Sequence, residues 1–183
     1  MNMIEELKNA ANERILILDG AMGSLIQPYG LGEADFRGQA YADHPQSLEG
    51  CNDLLSITAP QIIRDIHGRF LQAGADIIET NTFNATTVSM EDYGLESKVR
   101  EINLAAAKVA REAVDEHLKN FGKRAFVAGS IGPANKTASL SPDVNDPAYR
   151  AINFDQLVSA YHQQTMALLD GGVDIILAET SFD

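Results

Sequence analysis

Two acidic residues occupy matching positions in a short sequence that occurs twice. Residues 74–80 read Gly-Ala-Asp-Ile-Ile-Glu-Thr, and residues 172–180 read Gly-Val-Asp-Ile-Ile-Leu-Ala-Glu-Thr. Each copy follows an amphipathic stretch, breaks at glycine and continues through an apolar run, which predicts a repeated helix-then-strand unit. Glu79 and Glu179 are therefore expected at strand tips, where a carboxylate either binds a cationic group or accepts hydrogen bonds from backbone amides.

A third carboxylate follows another apolar run. Residues 14–18 predict a strand that is buried on both faces, and Asp19 comes directly after it. Gly20 and Gly23 predict a tight turn at this point, because glycine permits backbone geometry or a close approach that other residues resist. Asp19 and Gly20 are candidate site residues, although Asp19 could equally serve only to fix the turn.

The connections place these residues on one edge of the fold. Connections from helix to strand are short, whereas those from strand to helix are long and rich in polar residues. In parallel α/β folds the carboxyl edge of the strands carries the site. The strand-end residues predicted on that edge are Asp19, Glu79, Ser130 and Glu179. Asn81 and Thr82 follow Glu79 and are weaker candidates that reach into the mouth of the site.

The histidines and the cysteine do not predict a metal site or a nucleophile. His44, His67, His117 and His162 show no ligand spacing, so we expect surface positions or satisfied packing for them. Cys51 is the single cysteine, and a zinc site requires three or four ligands. We therefore predict no catalytic residue and no metal ligand within this chain.

Alternating helical and apolar segments predict an α/β fold with parallel strands. A helix is expected over residues 1–13, a capping box at Thr58 and Gln61 predicts the start of a second, and further helices are expected over residues 95–119 and from Asn153. Residues 23–57 are predicted to be a long excursion with short helices. A barrel and a doubly wound sheet both satisfy this order, but the chain has no G-x-G-x-x-G or P-loop after its first strand.

Composition limits the classes of function. The chain has 183 residues, 45% of them hydrophobic, which suits one globular domain. Its formal charge of -12 argues against unassisted binding to nucleic acid or to an anionic membrane, because both require a positive patch. No run approaches the length of a membrane span, and the first residues are not leader-like, so a cytoplasmic protein is expected.

Several separate motifs occur in order along nearly the whole chain. They lie at residues 14–23, 36–38, 52–58, 74–83, 126–137 and 169–180. In this combination the sequence resembles the homocysteine S-methyltransferase family, and more narrowly the homocysteine-binding domain of its cobalamin-dependent branch, methionine synthase. The sequences Phe-Arg-Gly at 36–38 and Asn-Lys-Thr at 135–137 favour that branch over the betaine-dependent one.

The resemblance implies a (β/α)8 barrel, of which residues 1–183 would form the first half with about four parallel strands. In that family zinc held by three cysteines activates the homocysteine thiol for attack on methylcobalamin. Those cysteines are expected beyond residue 183, and the methylcobalamin on other domains. Glu179 is the best candidate for the substrate ammonium, with Asp19 and Gly20 beside the pocket. Ser130 and the neighbouring amides are candidates for the substrate carboxylate.

Other functions stay open at this point. The methyl donor could instead be betaine or S-methylmethionine, or the chain could be a non-catalytic half-barrel binding module. The expected partners are homocysteine, the remaining half of the barrel and downstream folate- and cobalamin-binding domains. Half a barrel would have two open sheet edges, so self-association through them is also expected, and the fragment alone is expected to be inactive.

Overall fold

The computed structural model describes residues 3–181, and within them eight α-helices surround three β-strands. The helices are α1 (Met3–Glu13), α2 (Met22–Ile26), α3 (Glu33–Arg37), α4 (Leu55–Thr58), α5 (Pro60–Ala73), α6 (Thr87–Met90), α7 (Val99–Phe121) and α8 (Phe154–Asp170). The strands are β1 (Ile77–Glu79), β2 (Phe126–Ile131) and β3 (Ile175–Ala178). Short 3-10 turns span Gln27–Tyr29, Asn52–Leu54, Glu91–Tyr93 and Glu96–Lys98.

The three strands form one parallel sheet in the order β1-β2-β3. Ile78 is in register with Val127, and Gly129 is in register with Ile176. Every residue of β2 is buried because it has a strand on each side and helices over the sheet. This confirms an α/β fold with parallel strands connected through helices.

The predicted first strand is not a regular strand among the described residues. Residues 14–18 run beside β1, but they pair with it through a single parallel bridge, between Leu18 and Ile77. The expectation that this run is buried on both faces is also wrong, since Ile15 is 85% exposed and Ile17 is 54% exposed. An apolar run needs packing partners on both sides to become a buried strand, and the described residues provide a neighbour on one side only.

The helices agree with the predictions except at some ends. Gly74 ends α5 in the left-handed region at φ 107°, where a residue without Cβ has no steric penalty. The predicted capping box at Thr58 does not form, because Thr58 is still in α4 and its hydroxyl donates to the Leu54 carbonyl. Asn153 does cap α8, and its side chain accepts from the Gln156 amide at 2.9 Å.

The core lies between the sheet and the long helices α5, α7 and α8. One apolar stripe of α7 is buried throughout, and it consists of Val99, Ile102, Ala106, Val109, Ala113 and Val114. The excursion formed by residues 23–57 packs on α5 and α7 in a cluster of its own, whose buried residues include Phe36, Leu48 and Leu54. The end of the excursion also contacts the loop after β1, because the Asn52 carbonyl and the Asp53 carboxylate accept hydrogen bonds from it.

At the amino edge, the aspartate of each copy of the repeated sequence accepts a backbone amide from the segment that lies beside it. Asp76 accepts the Ile17 amide at 2.9 Å and is paired with Arg14 at 2.5 Å. Asp174 accepts the Val127 amide at 2.8 Å and is paired with Arg111 at 2.5 Å. The two copies therefore share a role in the structure as well as a sequence.

Part of the surface is apolar. Within residues 3–181, β3 pairs only with β2, and Ile176 on β3 is 37% exposed. Helix α8 also exposes Phe154 and Val158. Among the described residues, we find no helix with the length and apolar content needed to cross a membrane.

Candidate substrate-binding site

A cavity of 450 Å³ opens at the carboxyl edge of the sheet. It lies where the strands meet the long connections that follow them, as expected for a parallel α/β fold. All six predicted site residues contribute to its wall: Asp19, Gly20, Asn81, Thr82, Ser130 and Glu179. The structure thus brings together residues that are up to 160 positions apart in the sequence, between Asp19 and Glu179 (179 − 19 = 160).

Carboxylates dominate the polar lining of this cavity. The described lining includes Asp19, Asp53, Glu79 and Glu179, but no Lys, Arg or His. Both oxygens of Asp19 accept the Glu79 amide at 3.1 Å, and Glu179 accepts the Ser130 hydroxyl at 2.5 Å. These contacts fix the carboxylates in position without neutralising their charge.

Burial and uncompensated negative charge raise the pKa values of carboxyl groups in the cavity. Burial, and then the negative charges of Glu179 and Asp19, raise the pKa of Glu79 to about 8. Burial is also the main cause that raises the pKa of Asp19 to about 7, with Glu179 adding to the shift. At neutral pH the cavity therefore holds at least one proton that ordinary carboxyl groups would have lost.

A chain of hydroxyl groups connects β1 to β2 beside the cavity. Thr82 donates to the Ser130 carbonyl at 2.7 Å, and Thr80 and Thr82 share a hydrogen bond of 2.6 Å. The Ser130 amide donates to Thr80 at 3.0 Å. The side-chain amide of the fully buried Gln164 on α8 donates to the Thr82 carbonyl at 2.8 Å. Thr82 is therefore a wall residue whose donor is already used by the protein.

Asn81 is likewise held by protein contacts. Its side-chain amide donates to the Asn52 carbonyl at 2.7 Å and approaches the Ser56 hydroxyl at 3.3 Å. It connects the loop after β1 to the 3-10 turn that precedes α4. Asn81 thus shapes the cavity from a buried position.

Two lining carboxyl groups were not among the predicted site residues. Asp53 is only 4% exposed, its pKa is raised to about 6 by burial, and it accepts the Asn84 amide at 2.9 Å. An acidic residue at the start of the apolar run 53–57 was the signal that could have identified it. For Glu79 the sequence predicts a strand tip, but it favours the residues that follow, Asn81 and Thr82, as site residues.

The turn after Asp19 requires glycine at position 20 neither for its backbone geometry nor for a close approach. Gly20 has no positive φ, and a Cβ added to it would lie 3.5 Å from the Phe70 ring, which is an ordinary contact. Thr180, directly after Glu179, does have a left-handed backbone at φ 54°. This conformation is uncommon for a β-branched residue and marks the point where the chain turns away after β3.

The other predicted non-site residues lie away from this cavity. Cys51 is buried against Met90, and burial raises the pKa of its thiol to about 12. Across residues 3–181, no group of three His, Cys, Asp or Glu side chains has an arrangement that could hold a metal ion. His67 differs from the expectation of satisfied packing, because it is fully buried and neither ring nitrogen has a partner within the described structure.

A larger cavity of 760 Å³ lies at the opposite edge of the sheet, beneath α1. Its lining contains both acidic and basic groups, and these pair with one another: Arg14 with Asp76, and Arg124 with Glu6. Its charges are therefore largely satisfied by the protein. The smaller cavity at the carboxyl edge is the better candidate for a binding site.

Comparisons with known proteins agree with this fold. Three structures of the homocysteine methyltransferase MmuM from Escherichia coli match the chain. The metallated form matches with a TM-score of 0.71 and 24% identity over 95% of this chain and 57% of that one. The oxidised form matches with a TM-score of 0.65 and 24% identity over 88% of this chain and 51% of that one. The apo form matches with a TM-score of 0.58 and 22% identity over 88% of this chain and 48% of that one. The chain thus spans about half the length of these proteins and matches part of a TIM-barrel-like fold.

The sequence profile of the family described as homocysteine S-methyltransferase matches residues 16–183. That match covers nearly all of the chain, including the three strands and the whole candidate site. The chain belongs to the homocysteine S-methyltransferase family.

Proposed function

We propose that this chain is the N-terminal half of a homocysteine-binding barrel in a methyltransferase, and that the carboxyl-edge cavity binds the amino-acid part of homocysteine. The observation that carries the proposal is the convergence of Asp19, Glu79 and Glu179 in a cavity without a basic residue among its described lining. Homocysteine has an ammonium group, which such a cavity favours electrostatically. Family membership supplies the identity of the ligand.

Glu179 is the proposed acceptor for that ammonium group. The Ser130 hydroxyl donates to one of its oxygens, which orients the carboxylate at the tip of β3. Asp19 lines the same cavity, accepts the Glu79 backbone amide and adds negative charge where it is ionised. Ser130 therefore contributes by positioning Glu179, while Gly20, Asn81 and Thr82 form the surrounding wall.

Zinc is the cofactor that the family resemblance implies, but the described residues do not fit it. They contain no cluster of three potential ligands, and Cys51 is buried with a thiol pKa of about 12, so it is protonated. A zinc-bound cysteine must be a thiolate. We propose that the zinc ligands lie beyond residue 183, so that residues 1–183 alone neither retain zinc nor methylate homocysteine.

The proposed methyl donor is methylcobalamin, held by further domains. Its support is the sequence of two motifs, at residues 36–38 and 135–137. In the structure the Arg37 guanidinium donates to the His44 and Gln46 carbonyls and so holds the loop that contains them. In the second motif, Asn135 donates to Asp92 and Lys136 donates to Glu91. On the same proposal, the partners of this chain are the remaining half of the barrel and folate- and cobalamin-binding domains. The protein would act in the cytoplasm.

Binding measurements test the assignment of the cavity. We would titrate the full-length natural protein with L-homocysteine and with 4-sulfanylbutanoate, which has the thiol and carboxylate but lacks the ammonium group. We expect strong binding of homocysteine and a large loss of affinity for the analogue. Equal affinity for both compounds would contradict the proposed role of the carboxylates.

Donor assays test the finer proposal. The full-length protein is supplied separately with methylcobalamin, betaine and S-methylmethionine, and methionine formation from homocysteine is measured. Methionine formed with methylcobalamin supports the proposal. If methionine forms only with betaine or S-methylmethionine, that compound and not methylcobalamin is the methyl donor. If the protein does not bind homocysteine at all, a non-catalytic half-barrel module is favoured.

A further inference from the structure

Glu79 and Glu179 line the same cavity from the ends of β1 and β3, and a side-chain hydrogen bond to Glu179 is among the causes that raise the pKa of Glu79. Two ionised carboxylates offer only acceptors, so a hydrogen bond between them requires one proton. One oxygen of Glu179 already accepts the Ser130 hydroxyl. The proton of the pair is therefore best placed on Glu79.

The groups around Glu79 give it no cationic partner. Asp19 approaches from the segment beside β1, Glu179 from the end of β3, and Asp53 lines the same cavity from the 3-10 turn before α4. The intervening strand β2 contributes the uncharged Ser130. Ionisation of Glu79 in the empty cavity would add a negative charge to this group without a described cation to balance it.

The surroundings agree with the placement of the proton. Burial is the largest cause that raises the pKa of Glu79, followed by the charges of Glu179 and Asp19. With a pKa of about 8, Glu79 is mostly protonated at neutral pH. Asp19, with a pKa of about 7, is partly protonated under the same conditions.

Resting on the proposed function, we propose that the ammonium group of the substrate displaces the proton shared by Glu79 and Glu179. The O–H bond of Glu79 breaks, its proton passes to solvent, and the ammonium N–H groups donate to the freed carboxylates. The positive charge of the ammonium group replaces that of the released proton, so the charge at the Glu79–Glu179 pair is unchanged by the exchange. Glu79 thereby couples the uptake of an amino-acid substrate to the release of a proton.

Proton release is measurable by calorimetry in buffers with different ionisation enthalpies. The full-length protein and its Glu79→Gln variant are titrated with L-homocysteine between pH 6 and 7.5. The ammonium and thiol of the ligand titrate identically in both experiments, and Asp19 is present in both proteins. The difference between the two proteins therefore isolates Glu79.

We expect the wild-type protein to release about one proton more than Glu79→Gln. Its affinity should accordingly rise up to about tenfold more per pH unit than that of the variant, as linkage requires for one displaced proton. Equal proton release by two proteins that both bind homocysteine would overturn the proposal. Absence of binding by the wild-type protein would instead contradict the proposed function.

A spectroscopic measurement on the wild-type protein tests the proposal even if the variant does not fold. Difference infrared spectroscopy detects the C=O stretch of a protonated carboxyl group. We expect the intensity of this band to decrease when homocysteine is added at pH 7, and to stay unchanged with 4-sulfanylbutanoate. Binding of homocysteine without loss of the band would overturn the proposal.

Discussion

Carboxylates lie at both ends of the sheet, and their surroundings differ. At the amino edge, Asp76 and Asp174 each have an arginine partner and a backbone amide to bind. At the carboxyl edge, Asp19 accepts the Glu79 backbone amide and Glu179 accepts the Ser130 hydroxyl. The Glu79 carboxyl group lines the same cavity, and none of the described cavity residues is basic. The carboxylate groups therefore stabilise the fold at the amino edge and are candidate ligand-binding groups at the carboxyl edge.

This difference separates stability from binding. A paired aspartate contributes to the folded state, because its partner is already present in the protein. A carboxylate without a cationic partner costs free energy on burial, and an external cation can recover that cost. Substitutions at the two edges should consequently affect different measurements.

The largest effect is expected for Glu179→Gln at the carboxyl edge. This change removes the proposed partner of the ammonium group, and loss of one member of a buried charge pair costs about 3 kcal/mol, or roughly 150-fold in affinity. Calorimetric titration with homocysteine measures it. Asp170→Asn is a matched control on the exposed end of α8, where Asp170 pairs with Arg100, and its affinity should be unchanged. Equal affinities of the two variants would remove the contrast between the edges.

A smaller effect, on stability, is expected for Asp174→Asn. The Asp174 side chain is 7% exposed and that of Arg111 is 24% exposed, so the substitution leaves a largely buried guanidinium without its partner. We expect the free energy of unfolding in urea to fall by about 2 kcal/mol, while homocysteine affinity stays within about twofold. An unchanged urea midpoint combined with weakened binding would reverse the roles given to the two edges.

Asp76→Asn should produce a smaller loss of stability than Asp174→Asn, because its partner Arg14 is 58% exposed. The hydrogen bond from Arg14 is the largest cause that lowers the pKa of Asp76. The wild-type contribution is thus present above the unfolded pKa of about 3.9 and is lost as the pH falls through the lower folded value. Urea midpoints at pH 3 and pH 6 measure this pH dependence. At pH 6 the midpoint of Asp76→Asn should be higher than that of Asp174→Asn.

The last prediction concerns the pH dependence of stability that Glu79 contributes. Its folded pKa of about 8 lies above the unfolded value of about 4.3, so between these values the folded state binds more protons than the unfolded state. Stability should consequently decrease as the pH rises through this window. The Glu79→Gln variant, which cannot ionise, should show a shallower decrease in its urea midpoint between pH 5 and pH 8. A steeper decrease in the variant would contradict the sign of the pKa shift.

Local sequence features predicted much of the fold. The inner stripe of α7 follows from the 3.6-residue spacing of its apolar side chains, and glycine predicted the end of α5 at Gly74. The repeated sequence predicted β1 and β3. It also predicted that their terminal glutamates would reach one edge, because parallel strands carry their carboxyl ends on the same side.

Features that depend on distant neighbours were harder to predict. The apolar composition of residues 14–18 indicates a need for burial, but whether these side chains are covered depends on packing partners elsewhere, and Ile15 is 85% exposed. Glu79 resembled any other strand-end carboxylate until the structure placed Glu179 and Asp19 beside it. Likewise, the burial of Asp53 follows from packing by the whole excursion, which no local pattern describes.

The aspartates of the repeated sequence also bear on how such a fold can grow. In each copy, the aspartate two residues after the glycine accepts an amide from the segment beside it, Ile17 for Asp76 and Val127 of β2 for Asp174. A helix–strand segment therefore encodes its own attachment to the strand at its side. Gene duplication of such a segment would add a strand together with the bond that sets its register, so tandem copying could lengthen the sheet without inventing a new junction.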